Sequence, residues 1–191
     1  MPNWCNNSIS VSHPDKEMMQ KFRDGVRAGN LFDTFIPMPV ELRETTSPSE
    51  TNEVLVEKYG HSDWYSWSID NWGTKWDVCE GEFNLDENEL SGDGWFDTAW
   101  GPPITAYQKL KELGFVIEAF YSEPGMGFCG VWENGEEDYI DGYYELFEEG
   151  KFPDNTEGLH TEIRYFLEAE YESWKDEQEW LEEQVKGAGD E

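Results

Sequence analysis

Residues 7–12 alternate polar and apolar, with Ile9 and Val11 on one side, the period-two pattern of a short half-buried strand. Helical spacing follows. Pro14 suits a first turn, Ser12 or His13 can cap it, and Met18 or Met19, Phe22 and Val26 recur at i, i+4 until Gly29 stops the run. The prolines in Phe35-Ile36-Pro37-Met38-Pro39 exclude a central strand and predict a connector with apolar anchors. Between 50 and 70 the pattern weakens: Val54, Leu55, Lys58 and Tyr59 allow a short helix, and Trp64 and Trp67 mark a Trp-rich turn. Two strands are predicted around 76–80 and 94–99, separated by an acidic loop over 83–93. Gly101-Pro102-Pro103 then opens a helix carrying Ile104, Tyr107, Leu110 and Leu113, which Gly114 ends. Residues 115–120 read as a strand, and Asn134-Gly135 as a type I′ turn joining 128–133 to 136–143. From about 159 to 186 the spacing predicts one long helix.

The order is β-α-(insert)-β-β-α-β, then a hairpin, then a helix. That is an α+β class with a ferredoxin-like core, in which four antiparallel strands are backed by two helices. The expected organisation is a domain over 1–150 with an insertion near 40–72. An acidic C-terminal helix in 151–191 packs on it.

Composition sharpens this picture. The hydrophobic share is only 37%, but 16% of the residues are aromatic and ten are Trp, so a packed fold built on large rings is expected. No apolar run approaches the ~20 residues of a membrane span. The start, MPNWCNNSIS, lacks the basic and apolar regions of a signal peptide, which predicts a cytoplasmic protein. Thirteen basic residues stand against 43 acidic ones, a formal net charge of −30. Direct binding to nucleic acid or to an anionic membrane surface is therefore not expected, since both need cations to meet phosphates. The acidity serves solubility, an extreme-salt habitat, or a negative surface offered to a basic partner. Cys5, Cys79 and Cys129 are odd in number and widely spaced, which fits neither a disulfide framework nor a zinc pattern. A three-Cys site completed by His13, His61 or His160 is the alternative; free thiols with no metal and no cofactor are expected.

Three separated segments carry a resemblance. The opening Met1-Pro2-Asn3-Trp4-Cys5-Asn6-Asn7, the segment Trp72-Gly73-Thr74-Lys75-Trp76-Asp77 and the turn Phe96-Asp97-Thr98-Ala99-Trp100-Gly101-Pro102-Pro103 resemble, in order, the YubB-like proteins of plasmids and bacteriophages. The resemblance covers roughly residues 1–130. It implies a ferredoxin-like domain and a mobile-element origin, and implies no shared activity. The chain departs from the pattern at His13, where a glycine is expected.

Two constellations are candidates for function. Trp72, Lys75, Trp76 and Asp77 place indoles, an ammonium and a carboxylate within six residues, a candidate ligand-pocket floor. The plainer reading puts Trp72 and Trp76 in the core and pairs Lys75 with Asp77 on the surface. The second constellation lies on the C-terminal helix. At ~100° per residue, Ile163, Leu167, Tyr171, Trp174, Leu181 and Val185 fall within roughly 40° of one line. Glu168, Glu172, Asp176, Glu179 and Glu183 form the opposite stripe, with Trp180 and Tyr165 on the exposed side. Residues 131–191 hold 21 acids and four bases. An exposed Trp rimmed by carboxylates suits a binding hot spot.

Catalytic signals are weak. Cys5 has no base assignable by spacing, and acidic pairs are abundant enough to arise by chance. Asp86-Glu87-Asn88-Glu89…Asp93 lacks the alternation of a calcium loop, and Gly125-Met126-Gly127 is too short to cradle phosphate. The expected function is that of a non-enzymatic, acidic mobile-element protein. It would bind the basic surface of a host protein through Glu168, Glu172, Asp176, Glu179, Trp180 and Glu183, as a DNA mimic does. The alternatives are a small-ligand-binding or enzymatic domain using Trp72, Lys75, Trp76 and Asp77, or an accessory protein whose acidity only solubilises it.

Overall fold

Alternation in the first strand orients the whole sheet. In β1 (Trp4–Ser12) Cys5, Asn7, Ile9 and Val11 are buried, whereas Trp4, Asn6, Ser8 and Ser10 are exposed. The computed structural model describes residues 3–48 and 50–188. It has β2 (Gly81–Leu85), β3 (Ser91–Ala99), β4 (Val116–Glu123), β5 (Phe128–Glu133) and β6 (Glu136–Ile140) in one sheet, ordered β2-β3-β1-β4-β5-β6. Every neighbouring pair is antiparallel. β1 and β2 therefore run parallel with β3 between them, and β3 and β4 run parallel with β1 between them.

The face carrying Ile9 and Val11 is covered by helices. α1 (Lys16–Ala28), α2 (Leu31–Phe35), α3 (Val40–Arg43), α5 (Trp64–Trp72) and α6 (Ile104–Glu112) each contribute buried side chains to the main core. Phe22, Phe32, Phe83, Phe96, Tyr107, Phe115 and Trp132 are its largest fully buried members, and α4 (Glu53–Tyr59) lies at its rim through Leu55 and Tyr59. The opposite face is covered on one side only. There α7 (Tyr143–Glu148) and α8 (Thr161–Ala188) enclose a second core of Cys129, Val131, Tyr143, Phe147, Ile163 and Leu167. Ser8, Ser10, Asp93 and Trp95 remain exposed on the uncovered part.

Several elements differ from the sequence expectation. Asp15, not Ser12 or His13, caps α1, its carboxylate accepting from the Glu17 amide at 2.8 Å. His13 instead lies against the Phe115 ring, with Nε2 3.2 Å from the Leu113 carbonyl. The segment around Trp64 and Trp67 is a helix rather than a turn. Asp63 caps it through the Ser66 amide, and Gly73 ends it at φ 82°. Trp64, Trp67 and Trp72 are spaced for one helical face, a period hidden by the richness of aromatics.

The expected strand over 76–80 moves to 81–85. Cys79 and Glu80 exchange backbone hydrogen bonds with Asp97, but regular pairing begins at Gly81. Phe83 lies over Gly92 and Gly94, where an added Cβ would come within 3.0 Å of its atoms, so those glycines set the register. The acidic loop shrinks to the turn 86–90. β6 ends at Ile140, short of 143, because α7 starts at Tyr143 with Gly142 at φ 67° before it. The hairpin turn itself is as expected, with Asn134 at φ 47° and Gly135 at φ 110°.

Candidate functional site

α8 is 28 residues long, about 42 Å at 1.5 Å per residue. Only its first half is held. Ile163 and Leu167 are fully buried, and Tyr171 and Trp174 are half-buried against Phe147 and Phe152. Tyr171 and Trp174 stack with ring centroids 5.9 Å apart, and Phe152 meets Tyr171 at 4.8 Å. Past Trp174 no described side chain of the helix is buried, and Leu181 is 43% exposed. The expected apolar line therefore leaves the domain after Trp174; Val185 lies outside the described side chains.

Glu168, Glu172, Asp176, Glu179 and Glu183 are all exposed, and Trp180 stands 58% exposed beside them. Tyr165 is exposed too. Lys175 pairs with Glu172 at 2.7 Å and sits 4.8 Å from the centre of the Tyr171 ring. Its hydrogen bond to the Glu172 carboxylate holds the Lys175 ammonium above its ordinary range. The pair is solvent-exposed and salt-screened, so it neutralises one stripe position weakly.

The Trp72-to-Asp77 constellation comes together as a cavity of about 460 Å³ lined by Trp72, Lys75, Trp76 and Asp77. Arg43, Asp33, Asn30, Met38 and Trp64 complete its wall. Trp72 is buried, and its indole N–H donates to the Ile36 carbonyl at 3.0 Å. Trp76 is 39% exposed and so is not a core residue. The expected surface pair of Lys75 and Asp77 does not form. The Lys75 ammonium lies 4.6 Å from the Trp76 ring centre and 4.7 Å from that of Trp100. The Asp77 carboxylate points into the protein and accepts from the Phe32, Asp33 and Val78 amides at 2.8–2.9 Å. It thus does for α2 what the Asn30 side chain, with no capping bond, does not. Burial pushes this carboxyl up to about 6, against the opposing pull of those three amides.

Arg43, Asp33, Trp64 and Trp100 were not legible as site residues. They come from α2, from the insertion and from the residue after β3, and no local spacing connects them to Lys75. A second, smaller groove of about 300 Å³ lies on the uncovered part of the sheet, with Asp93, Glu118, Glu133 and Glu162 on its walls.

The remaining candidates are spent on structure. Cys5 and Cys129 are buried, Cys79 is exposed, and all three are free. Burial, reinforced by Glu123, pushes the Cys5 thiol far up, and burial pushes Cys129 up to about 12, so neither supplies a thiolate near neutrality. The amides of Gly125 and Met126 donate to Glu123 at 2.8 Å rather than facing a ligand. In the acidic turn, Asp86 takes the Ser91 hydroxyl and Glu89 the Gln20 amide. Among the described residues no group of three His, Cys, Asp or Glu side chains could hold a metal ion. None of the described helices is long and apolar enough to cross a membrane.

No family model matches the chain, and no curated protein matches it. Among solved structures it is similar to protein api92 from Yersinia pseudotuberculosis, assigned to the family DUF1281. The identity is 12% and the TM-score 0.41, over 74% of this chain and 98% of that one.

Proposed function

We propose that the protein is a non-enzymatic, acidic binding protein of a phage or plasmid. In this reading it offers α8 to the basic, phosphate-binding surface of a host protein and acts as a DNA mimic. The observation that carries the reading is the free half of α8. Asp176, Glu179, Trp180 and Glu183 are exposed there, in line with Glu168 and Glu172, which are exposed on the half that anchors the helix in the second core. At ~1.5 Å per residue the stripe spans about 22 Å, with a carboxylate near every turn, a rigid array that approximates a row of phosphates. The groove bearing Asp93, Glu118, Glu133 and Glu162 adds negative charge on the uncovered sheet face.

The strand order β2-β3-β1-β4, with crossovers through α1–α5 and α6, supports a ferredoxin-like core extended by the hairpin and α8. The three motifs shared with YubB-like proteins support the mobile-element origin. Buried free thiols at Cys5 and Cys129 fit a reducing cytoplasm. Capture from bacterial lysate at low salt, followed by competition with duplex DNA, tests the reading. The partner is expected to be a DNA-binding protein that DNA displaces. A captured partner indifferent to DNA would remove the mimicry.

A further inference from the structure

The cavity beside Lys75 holds an arrangement that α8 does not use. We propose that it is a binding site for a small planar anion, an aromatic base or ring bearing one phosphate, of the size of a nucleoside monophosphate. Its volume of about 460 Å³ lies within the range of small-molecule sites. Trp72 forms the buried floor, and Trp64 and Trp76 supply indoles on which a flat ring stacks.

Charge decides what the ring carries. The chain has 13 basic residues against 43 acidic ones, yet Arg43 and Lys75 both face this one cavity. The carboxylates in the same wall are already committed. Asp77 is spent on three amides, and Asp33 Oδ1 accepts from the Met38 amide and from Arg43. Lys75 is different. Its ammonium rests over Trp76 and Trp100 and, among the described residues, has neither a carboxylate partner nor a hydrogen-bond acceptor. Three N–H donors are therefore held in place by rings and left open to an anion.

A cationic ligand meets the unpaired Lys75 head on, so an aromatic cage for quaternary ammonium groups does not fit. A long polyanion meets the net charge of −30 at every phosphate beyond the site. A single phosphate within the cavity is shielded from most of that field, because the screening length is about 8–10 Å at physiological salt. The site thus selects a small ligand with a single phosphate over an extended polyanion.

Tryptophan-fluorescence titration with adenosine monophosphate, adenosine and inorganic phosphate tests the site, with calorimetry for stoichiometry. The nucleotide is expected to bind saturably at one site, and adenosine and phosphate each at least about ten-fold more weakly. Lys75→Gln should weaken the nucleotide by about ten-fold or more while leaving adenosine unchanged. Trp76→Leu should weaken both together, and Glu177→Gln, exposed on α8 outside the stripe, neither. Melting curves identify any variant that fails to fold, and Arg43→Gln then replaces Lys75→Gln. Absence of saturable nucleotide binding at millimolar concentration, or equal affinity for nucleotide and nucleoside, overturns the proposal. So does indifference to Lys75→Gln.

Discussion

At position 7 an amide sits where the strand pattern asks for an apolar side chain, and the core is built to receive it. Asn7 Nδ2 donates to the Cys5 and Phe96 carbonyls and to Thr98 Oγ1, while Oδ1 accepts the Tyr107 hydroxyl at 3.0 Å. A buried amide so fully bonded costs little, but losing one partner exposes the desolvation penalty of the other. Tyr107→Phe should therefore destabilise the protein by about 1–3 kcal/mol in urea unfolding, despite removing one oxygen atom. Asp77 gives a pH signature. Its folded pKa of about 6 lies above the ordinary 3.8, so the folded state holds the proton more tightly than the unfolded chain. Its contribution to stability is present below about 4, is lost as pH rises through about 6, and is flat above. The stability of the wild type minus that of Asp77→Asn should fall across that window. A difference that stays flat or rises would show that the three amides outweigh burial.

Among the elements, α8 divides at Trp174. Ending the chain after Trp174 should leave the melting temperature nearly unchanged, because no described side chain beyond it is buried. Ending it before Ile163 strips the cover from Cys129, Val131 and Phe147, and should yield a dye-binding, poorly folded product. The first half of α8 was legible in the sequence because Ile163, Leu167, Tyr171 and Trp174 keep helical spacing. α1, α6 and the Asn134-Gly135 hairpin were legible for similar reasons, through period and punctuation. What was not legible depends on contacts distant in sequence. Trp64 and Trp67 read as a turn because the helical period that links them to Trp72 is short and lies among other aromatics. β2 was placed five residues early because Trp76 has a strand-forming side chain, while the true register is set by Phe83 over Gly92 and Gly94. The Trp72-to-Asp77 segment was found as a motif, but Arg43 and Trp100 reach it only through the fold.

The whole molecule carries its charge as a cost. With a formal net of −30, self-repulsion opposes the compact state, and added salt at neutral pH should raise the melting temperature. If a surface that costs stability also binds, salt should act on the two in opposite directions: stabilising the fold and weakening the complex. That opposition separates a contact surface from a merely solubilising one. The most direct measurement is binding kinetics of the wild type and of a variant with Glu168, Glu172, Asp176, Glu179 and Glu183 all changed to Gln. It is made against the partner captured at low salt. Folding should survive, since Gln and Glu have similar helix propensity and repulsion at i, i+4 is relieved. The Gln variant should bind orders of magnitude more weakly at about 0.1 M salt, mainly through slower association. Trp180→Ala should instead speed dissociation with little change in salt dependence. Equal affinity of the Gln variant and the wild type would contradict the account and leave the stripe as a solvated face.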